Sequence, residues 1–482
     1  MSLEQQKKTI AQLYKSGILV TPKILALIKQ GHSFEQIQNQ LQVQEKQITD
    51  SDIDPSHVNV SIIHNYQDNL KEYSVNDFIN HFSVRLQKIT SFLRSRSELE
   101  DLTSIRRISQ KEQGEQVSII GYVSDITQTK NGHFLLEMED KTGSVRCLVL
   151  DREENKHLLE QVKDVVLDDI IGIRGAVSQG DDRVLFVNTI VTPDIPTVGG
   201  LKKCDDDVNA VFIGDLHIGA KLFLEKEFQA FLDWLNLKHP DPVANEVAKK
   251  VRYVFVTGDI IEGIGVYPNQ DQDLEIMGVR DQYARAAELF SQIPKHIKII
   301  LTPGNHDTMR LAEPQPAIYK EFAKDLVELE NVVNVSSPST VAIHKYGDFP
   351  GFIVLVYHGN SFFYYFDAVN SIRQAGGIEN PDLVMEFLLK RRHLAPTHAS
   401  VQYIPDADRD ELIIDPIPDL FATGHIHKHV VRNFKHITLM NCSCFVGVTD
   451  YQKKQGMVPD LAKVTVINLK TRAIQTIDFE HV

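Results

Sequence analysis

Gly214-Asp215-Leu216-His217, Gly258-Asp259, Gly304-Asn305-His306-Asp307, His358-Gly359 and Gly424-His425-Ile426-His427 follow one another through the second half of the chain. Each run sets oxygen or imidazole donors beside a glycine. Each also closes an apolar segment (residues 211–213, 253–256, 297–301, 352–356 and 420–421) of the kind that forms a buried strand. Donors at strand ends converge on one edge of a sheet. A lone Gly-Asp or His-Gly is commonplace, and His425-Ile426-His427 by itself reads as a strand with one exposed histidine. Five such runs in order, each after an apolar segment, read as one site.

The residue types point to a pair of divalent ions that clamps a phosphodiester. Ions about 3.5–4 Å apart can activate a water on one side and stabilise the leaving oxygen on the other. Such a pair needs a shared carboxylate, and Asp259, with Gly258 letting the backbone come close, is the natural bridge. By motif order Asp215, His217 and His427 complete the shell of the first ion, and Asn305, His358 and His425 that of the second. This mixed oxygen and nitrogen set suits Mn²⁺, Fe²⁺ or Zn²⁺ better than Mg²⁺, and manganese is the expected metal. His306 is left free for the substrate. As an imidazolium it stabilises the transition state or protonates the leaving sugar oxygen, with Asp307 accepting its other N–H and raising its pKa.

A chain of 482 residues fits several domains, and its 42% apolar and 24% charged content is typical of a globular protein. Residues 1–43 read as a small helical docking domain: Thr21-Pro22 starts a helix, and Ser33 with Gln36 forms a capping box. Residues 44–101 read as a polar linker followed by a helix over 74–94, with Phe78, Phe82, Leu86, Ile89 and Leu93 on one face. From 102 to 198 the period changes to short alternating runs at 117–123, 133–138, 145–150, 170–177 and 184–191, with a helical stretch at 153–162, the order of an OB-fold barrel. Few aromatics fall on those strands, so the barrel reads first as a packing module and second as a single-strand binder. Residues 199–482 form the metal-bearing domain.

The formal net charge of −14 argues against indiscriminate coating of nucleic acid, although a metal pair inverts the local field. Cys147, Cys204, Cys442 and Cys444 read as reduced, buried thiols. No signal peptide and no apolar run near the roughly 20 residues of a membrane helix is present, so the expected location is cytoplasmic and nucleoid-associated, with no membrane partner. Lys390-Arg391-Arg392-His393 reads as a solvated helix end rather than a DNA site.

The five runs resemble the calcineurin-like metallophosphoesterase superfamily, which implies a two-layer β-sandwich flanked by helices. The whole is then a multidomain α+β protein: helical N-terminal unit, OB-fold barrel, phosphoesterase sandwich. The second run continues Ile260-Ile261-Glu262-Gly263 and lacks the Asp-Arg-Gly of Ser/Thr protein phosphatases, and the third ends in Asp307 where they carry Glu. Asp-x-His and Gly-Asn-His-Asp are shared with DNA repair nucleases. The longer text, Ile261-Glu262-Gly263-Ile264-Gly265-Val266-Tyr267-Pro268-Asn269-Gln270, then Gln282-Tyr283, and Pro303-Gly304-Asn305-His306-Asp307-Thr308-Met309-Arg310-Leu311-Ala312-Glu313-Pro314-Gln315-Pro316-Ala317, resembles the small subunits of archaeal family D DNA polymerase over nearly the full chain. That resemblance implies a 3′→5′ exonuclease that proofreads single-stranded or mismatched primer ends in complex with a large catalytic subunit. It implies docking of other replication proteins on the N-terminal unit, and makes Tyr267, Tyr283 and Arg310 contacts for the unpaired strand. A scaffold subunit with a little-used site and a free-standing repair nuclease remain as alternatives.

Overall fold

The computed structural model describes residues 53–68, 71–180, 183–197, 199–449, 452, 453 and 456–481, together with 5, 6, 9, 12, 28 and 31–36. The helix start expected at Thr21-Pro22 lies outside the described residues. The expected capping box is present: Ser33 N–H donates to Gln36 Oε1 at 2.9 Å, and Gln36 N–H to Ser33 Oγ at 3.3 Å.

The first strand, β1 (Val60–Asn65), falls where the sequence reads as linker. It pairs antiparallel with a strand of the C-terminal domain, Val60 opposite Ile343 and Asn65 opposite Ser339, with a bulge between Ile62 and His64. The linker expectation is therefore corrected over these residues. An edge strand is held mainly by backbone pairing, and Ile62 and Ile63 remain exposed, so no clean alternation marks it in the sequence. The helix Val75–Leu93 follows, started by a Ser74/Asp77 capping box.

Strands β2 (Gln116–Gln128), β3 (Phe134–Asp140), β4 (Gly143–Val149), β5 (Ile170–Val177) and β6 (Val184–Val191) close a barrel in the order β2-β3-β4-β6-β5. The helix Lys156–Lys163 sits between β4 and β5, as the OB-fold order requires. Inward residues such as Val117, Ile119, Leu136, Met138, Ile171 and Ile173 fill it. One flank packs on the helix Val75–Leu93 through Leu86, Ile89, Leu93, Ile120, Ile170 and Val191, and Tyr122 Oη donates to the Phe82 carbonyl at 2.8 Å.

The C-terminal domain stacks two six-stranded sheets. One runs β10 (Val332–Asn334), β9 (Lys298–Leu301), β8 (Val251–Val256), β7 (Asn209–Ile213), β16 (Lys463–Asn468), β17 (Ile474–Asp478). The other runs β1, β11 (Ser339–Ile343), β12 (Phe352–Val356), β13 (Leu420–Thr423), β15 (Ile437–Asn441), β14 (Val430–Phe434). Phe212, Phe255, Ile300, Val354, Val356 and Ala422 meet between them, with the Phe212 and Phe255 rings stacked at 4.9 Å. Helices cover the outer faces: Glu225–Leu235 and Val279–Phe290 on the first sheet, Phe362–Ala368 and Pro381–Arg391 on the second. Strands with both faces covered read as continuous apolar runs, which is why they were legible. β7, β8 and β9 are parallel to one another, as are β12 and β13, so within each set the strands present the same ends to one edge.

Lys390-Arg391-Arg392-His393 is not a solvated helix end. Arg391, Arg392 and His393 are buried at the junction of barrel, helix Val75–Leu93 and sandwich. Arg391 reaches Asp169 of the barrel, the Arg392 guanidinium lies 4.1 Å from the Phe92 ring centre, and His393 Nε2 meets Asp410 Oδ2 at 2.9 Å. Asp410 also takes Arg85 Nε, so a buried carboxylate ties the helix to the sandwich. Burial alone would raise Asp410, but the charges of Arg85 and His393 hold it well below the usual carboxylate range. Burial and the Arg85 charge push His393 down to about 4, against the pull of Asp410.

Removing one partner of a buried pair strands the other charge, so Asp410→Ala is expected to cost about 3–5 kcal/mol, read as a lowered urea midpoint. His393 adds a pH dependence of definite sign. Its folded pKa of about 4 lies below the ordinary 6.5, so the unfolded chain takes up the proton first. Stability present at pH 7 is lost as pH falls from 6.5 towards 4, and that slope becomes shallower in His393→Gln.

Candidate metal centre

The five runs leave the ends of β7, β8, β9, β12 and β13 and turn at once. Asp215, His217, Asp259, His425 and His427 all adopt left-handed backbone, with φ of 52°, 54°, 50°, 69° and 57°. Non-glycine residues hold that conformation only where their surroundings fix it. Here backbone lacing does so: Asp215 N–H donates to the Gly258 carbonyl and His217 N–H to the Asp259 carbonyl, both at 3.0 Å. The glycines are required by close approach. A Cβ on Gly258, at φ 104°, would fall 2.5 Å from His358 Nδ1, and one on Gly424 would fall 2.5 Å from Asp215 Oδ2.

The turns gather donor atoms into three overlapping groups, each within 4.8 Å: Asp215, His217 and His427; His217, Asp259 and His306; and Asp259, His358 and His425. Asp259 is common to two. His217 Nε2 lies 3.3 Å from His427 Nε2, and His358 Nε2 lies 3.3 Å from Asp259 Oδ2 and 2.9 Å from Asn305 Oδ1. Among the described residues no Lys or Arg pairs with Asp215 or Asp259, although both are buried.

The outer contacts set the imidazole tautomers. His217 Nδ1 donates to Glu262 Oε2 at 2.7 Å and His358 Nδ1 to the Thr257 carbonyl at 2.8 Å, so in each ring Nε2 is the nitrogen that faces the carboxylates and would exchange its proton for a cation. Gln452 Nε2 approaches His427 Nδ1 at 3.0 Å. Burial would lower His217, but Glu262 raises it overall; burial would likewise lower His358, but Asp259 carries it up to about 9. His425 is pushed down to about 3 by burial and by His358. Buried carboxylates faced by imidazole Nε2 atoms, with no Lys or Arg paired to Asp215 or Asp259 among the described residues, fit divalent cations that would displace the imidazole protons.

His306 and Asp307 part company. His306 N–H donates to Asp259 Oδ1 at 2.8 Å and its Nδ1 to the Glu262 carbonyl at 2.9 Å, leaving Nε2 free. Asp307 does not accept from the His306 ring. Its carboxylate points into the protein, where it takes the N–H groups of Gly304, Ile260 and Ile261 and the Tyr283 hydroxyl. Burial and Asp259 push it up to about 7. The expected role of Asp307 is corrected to a buried brace of the two loops. His306 is shifted down by burial, against the pull of Asp259, opposite to the expected direction.

The three expected strand contacts also separate. Tyr283 is buried, with its hydroxyl on Asp307 Oδ1 and the Thr308 N–H, so it is unavailable to DNA. Arg310 donates to Asp68 Oδ1 at 2.6 Å and to the Pro314 carbonyl, with its guanidinium 5.2 Å from the Tyr66 ring centre, and so pins the segment after β1 to the Asn305 loop. Tyr267 is half-buried beside His306, at 6.3 Å between rings, but its hydroxyl is engaged by Glu262 and Asp273. Sequence reasoning passed over Glu262, which fixes His217 through its side chain and His306 through its carbonyl. Its place three residues after Asp259 is a signal visible only once that loop is known to fold back.

Residues 208–429 match the calcineurin-like phosphoesterase family, and residues 117–192 the OB-fold nucleic acid binding domain. A DNA polymerase II small subunit of Methanothermobacter thermautotrophicus is 36% identical over 394 residues, 82% of this chain and 78% of its own length. The DNA polymerase II small subunit of Thermoplasma acidophilum is 33% identical over 488 residues, covering 100% of this chain and 94% of its own. This chain belongs to the small subunits of archaeal family D DNA polymerase. Within this small-subunit family the phosphoesterase domain implies divalent metals, and the clustered Asp and His residues are groups that could hold them. Among the described residues no helix is long and apolar enough to cross a membrane.

Because Glu262 orients His217 and sets its tautomer, Glu262→Ala is expected to lower the affinity for added Mn²⁺ about 10–100-fold with the fold intact. Calorimetric titration with circular dichroism as the control checks it.

Proposed function

We propose that this chain is the proofreading nuclease of a DNA polymerase: a two-metal 3′→5′ exonuclease that acts on single-stranded or mismatched primer ends beside a large catalytic subunit. The observation that supports this most directly is the gathering of Asp215, His217, Asn305, His358, His425 and His427 around the shared, buried Asp259. Asp215, His217 and His427 would hold one ion and Asn305, His358 and His425 the other, Asp259 being shared by both; the donor set would favour Mn²⁺. When bound, the pair supplies Lewis-acid polarisation of the phosphodiester and of the attacking water.

The chain's own residues do the rest. His306 presents Nε2 as the proton carrier: it takes a proton released by water and returns it to the departing sugar oxygen, so that phosphate monoester and alcohol are formed. Its Nδ1–H stays on the Glu262 carbonyl, which fixes which nitrogen does this work. Asp307 and Tyr283 keep the Asp259 and Asn305 loops at fixed separation, and a displacement of about 1 Å in such a site costs about a hundredfold in rate. The chain is nucleoid-associated on this reading, and the N-terminal unit docks other replication proteins.

The test uses 5′-labelled primer–templates, paired and mismatched, with Mn²⁺, comparing wild type with Asp259→Ala in the presence and absence of the large subunit. Wild type is expected to shorten the mismatched end stepwise and Asp259→Ala to fall by at least about a thousandfold, the scale on which removal of a metal-bridging charge is felt. Absence of cutting by wild type under every condition would leave the domain a scaffold.

A further inference from the structure

Phe363 stands beside the candidate metal centre, one edge of its ring against Phe366 at 6.2 Å and much of the rest exposed. It lies in the helix Phe362–Ala368, whose other phenylalanines, Phe362 and Phe366, are 0% and 5% exposed and carry the contact with the sandwich. Phe363 is 43% exposed. Its ring meets that of His425 at 5.3 Å and 82°, a perpendicular contact with a member of the Asp259, His358 and His425 group. The other exposed phenylalanine among the described residues, Phe186, is on the barrel. Tyr267, half-buried beside His306, has its hydroxyl tied down by Glu262 and Asp273.

We propose that Phe363 is the stacking platform for the base of the nucleotide whose phosphodiester lies at the Asp259 cluster. This rests on the nuclease reading above and specifies its substrate: a terminal base already free of its duplex neighbour. Every base has a π-face, so a phenyl ring accepts any of them without reading sequence, as a proofreading site requires. A paired base reaches the ring only after leaving its stack, and that cost is least for a mismatched or frayed end. Phe363 thereby turns the mispair itself into the selection signal. The aliphatic Ile264 and Val266 on the loop after Asp259 are also exposed but offer no π-face.

The experiment compares wild type, Phe363→Ala and Phe363→Trp, each full-length and in complex with the large subunit, on strands ending in a natural or an abasic 3′ nucleotide with Mn²⁺. The ratio of natural to abasic cleavage is expected to fall roughly tenfold in Phe363→Ala and to be kept in Phe363→Trp, the scale of one base–aromatic stack. A second readout needs no chemistry: quenching of a 3′-terminal 2-aminopurine on binding a strand whose last linkage is non-hydrolysable, with Mn²⁺ present, expected for wild type and Phe363→Trp and lost in Phe363→Ala. An unchanged ratio with unchanged quenching overturns the proposal, as does an equal loss on natural and abasic ends. If wild type cuts neither strand but Phe363→Ala still loses the quench, the nuclease reading fails and the stacking platform stands.

Discussion

The structure depends on one buried carboxylate. Asp259 is 2% exposed, held in left-handed backbone, and surrounded by His217, His306 and His358 rather than by Lys or Arg. A buried ionised carboxylate needs a matching charge, and here imidazoles supply it, His358 first, groups that can give up their protons to a cation. Those donors come from five chain segments far apart in sequence, and only a sheet edge can bring them together. The parallel run β7-β8-β9 and the parallel pair β12-β13 provide it, and the two sheets facing each other place the halves of the donor set around Asp259.

That dependence explains what could be read from sequence. Residues that terminate doubly covered strands announce themselves by an apolar run before and a glycine beside them, so the seven residues expected as ligands all lie in the turns that follow those strands, and the barrel strands declare themselves by period. What failed was reasoning from adjacency. His306, Asp307 and Arg310 are neighbours in the chain, yet the turn that aims Asn305 and His306 at the cluster sends Asp307 inward to three backbone N–H groups and Arg310 outward to Asp68. Tyr283 follows Asp307 into the interior for the same reason. The basic run at Lys390 reads wrongly from sequence because Asp169, the partner of Arg391, lies 222 residues away in another domain and Asp410, the partner of His393, lies 17 residues on, and no local pattern encodes either.

The segment before the barrel links these observations. β1 adds an edge to the second sheet, and the next few residues supply Asp68, which takes Arg310 and the Tyr319 hydroxyl. The Asn305 loop is thus braced from inside by Asp307 and from outside by Asp68. The helix Val75–Leu93 then carries the chain to the barrel, with Arg85 on Asp410 on one side and Leu86, Ile89 and Leu93 on the barrel flank on the other. The barrel is accordingly joined to the sandwich through apolar and ionic contacts rather than hung from a loose tether, and the aromatic Tyr122 is spent on that junction.

Charge and stacking then divide the labour on the proposed reading. A chain with a net charge of −14 has little general attraction for phosphates, so it cannot select an end by holding DNA tightly along its length. Attraction is confined to the cluster, where bound cations reverse the field, and to whatever surface the large subunit offers. Under those conditions the probability that an end is cut follows the probability that its last base is already out of the duplex. If the chain is the proposed nuclease, one exposed ring beside the candidate ligands would discriminate through the melting of the primer end, and additional basic residues around the site would weaken that discrimination by retaining paired ends as well.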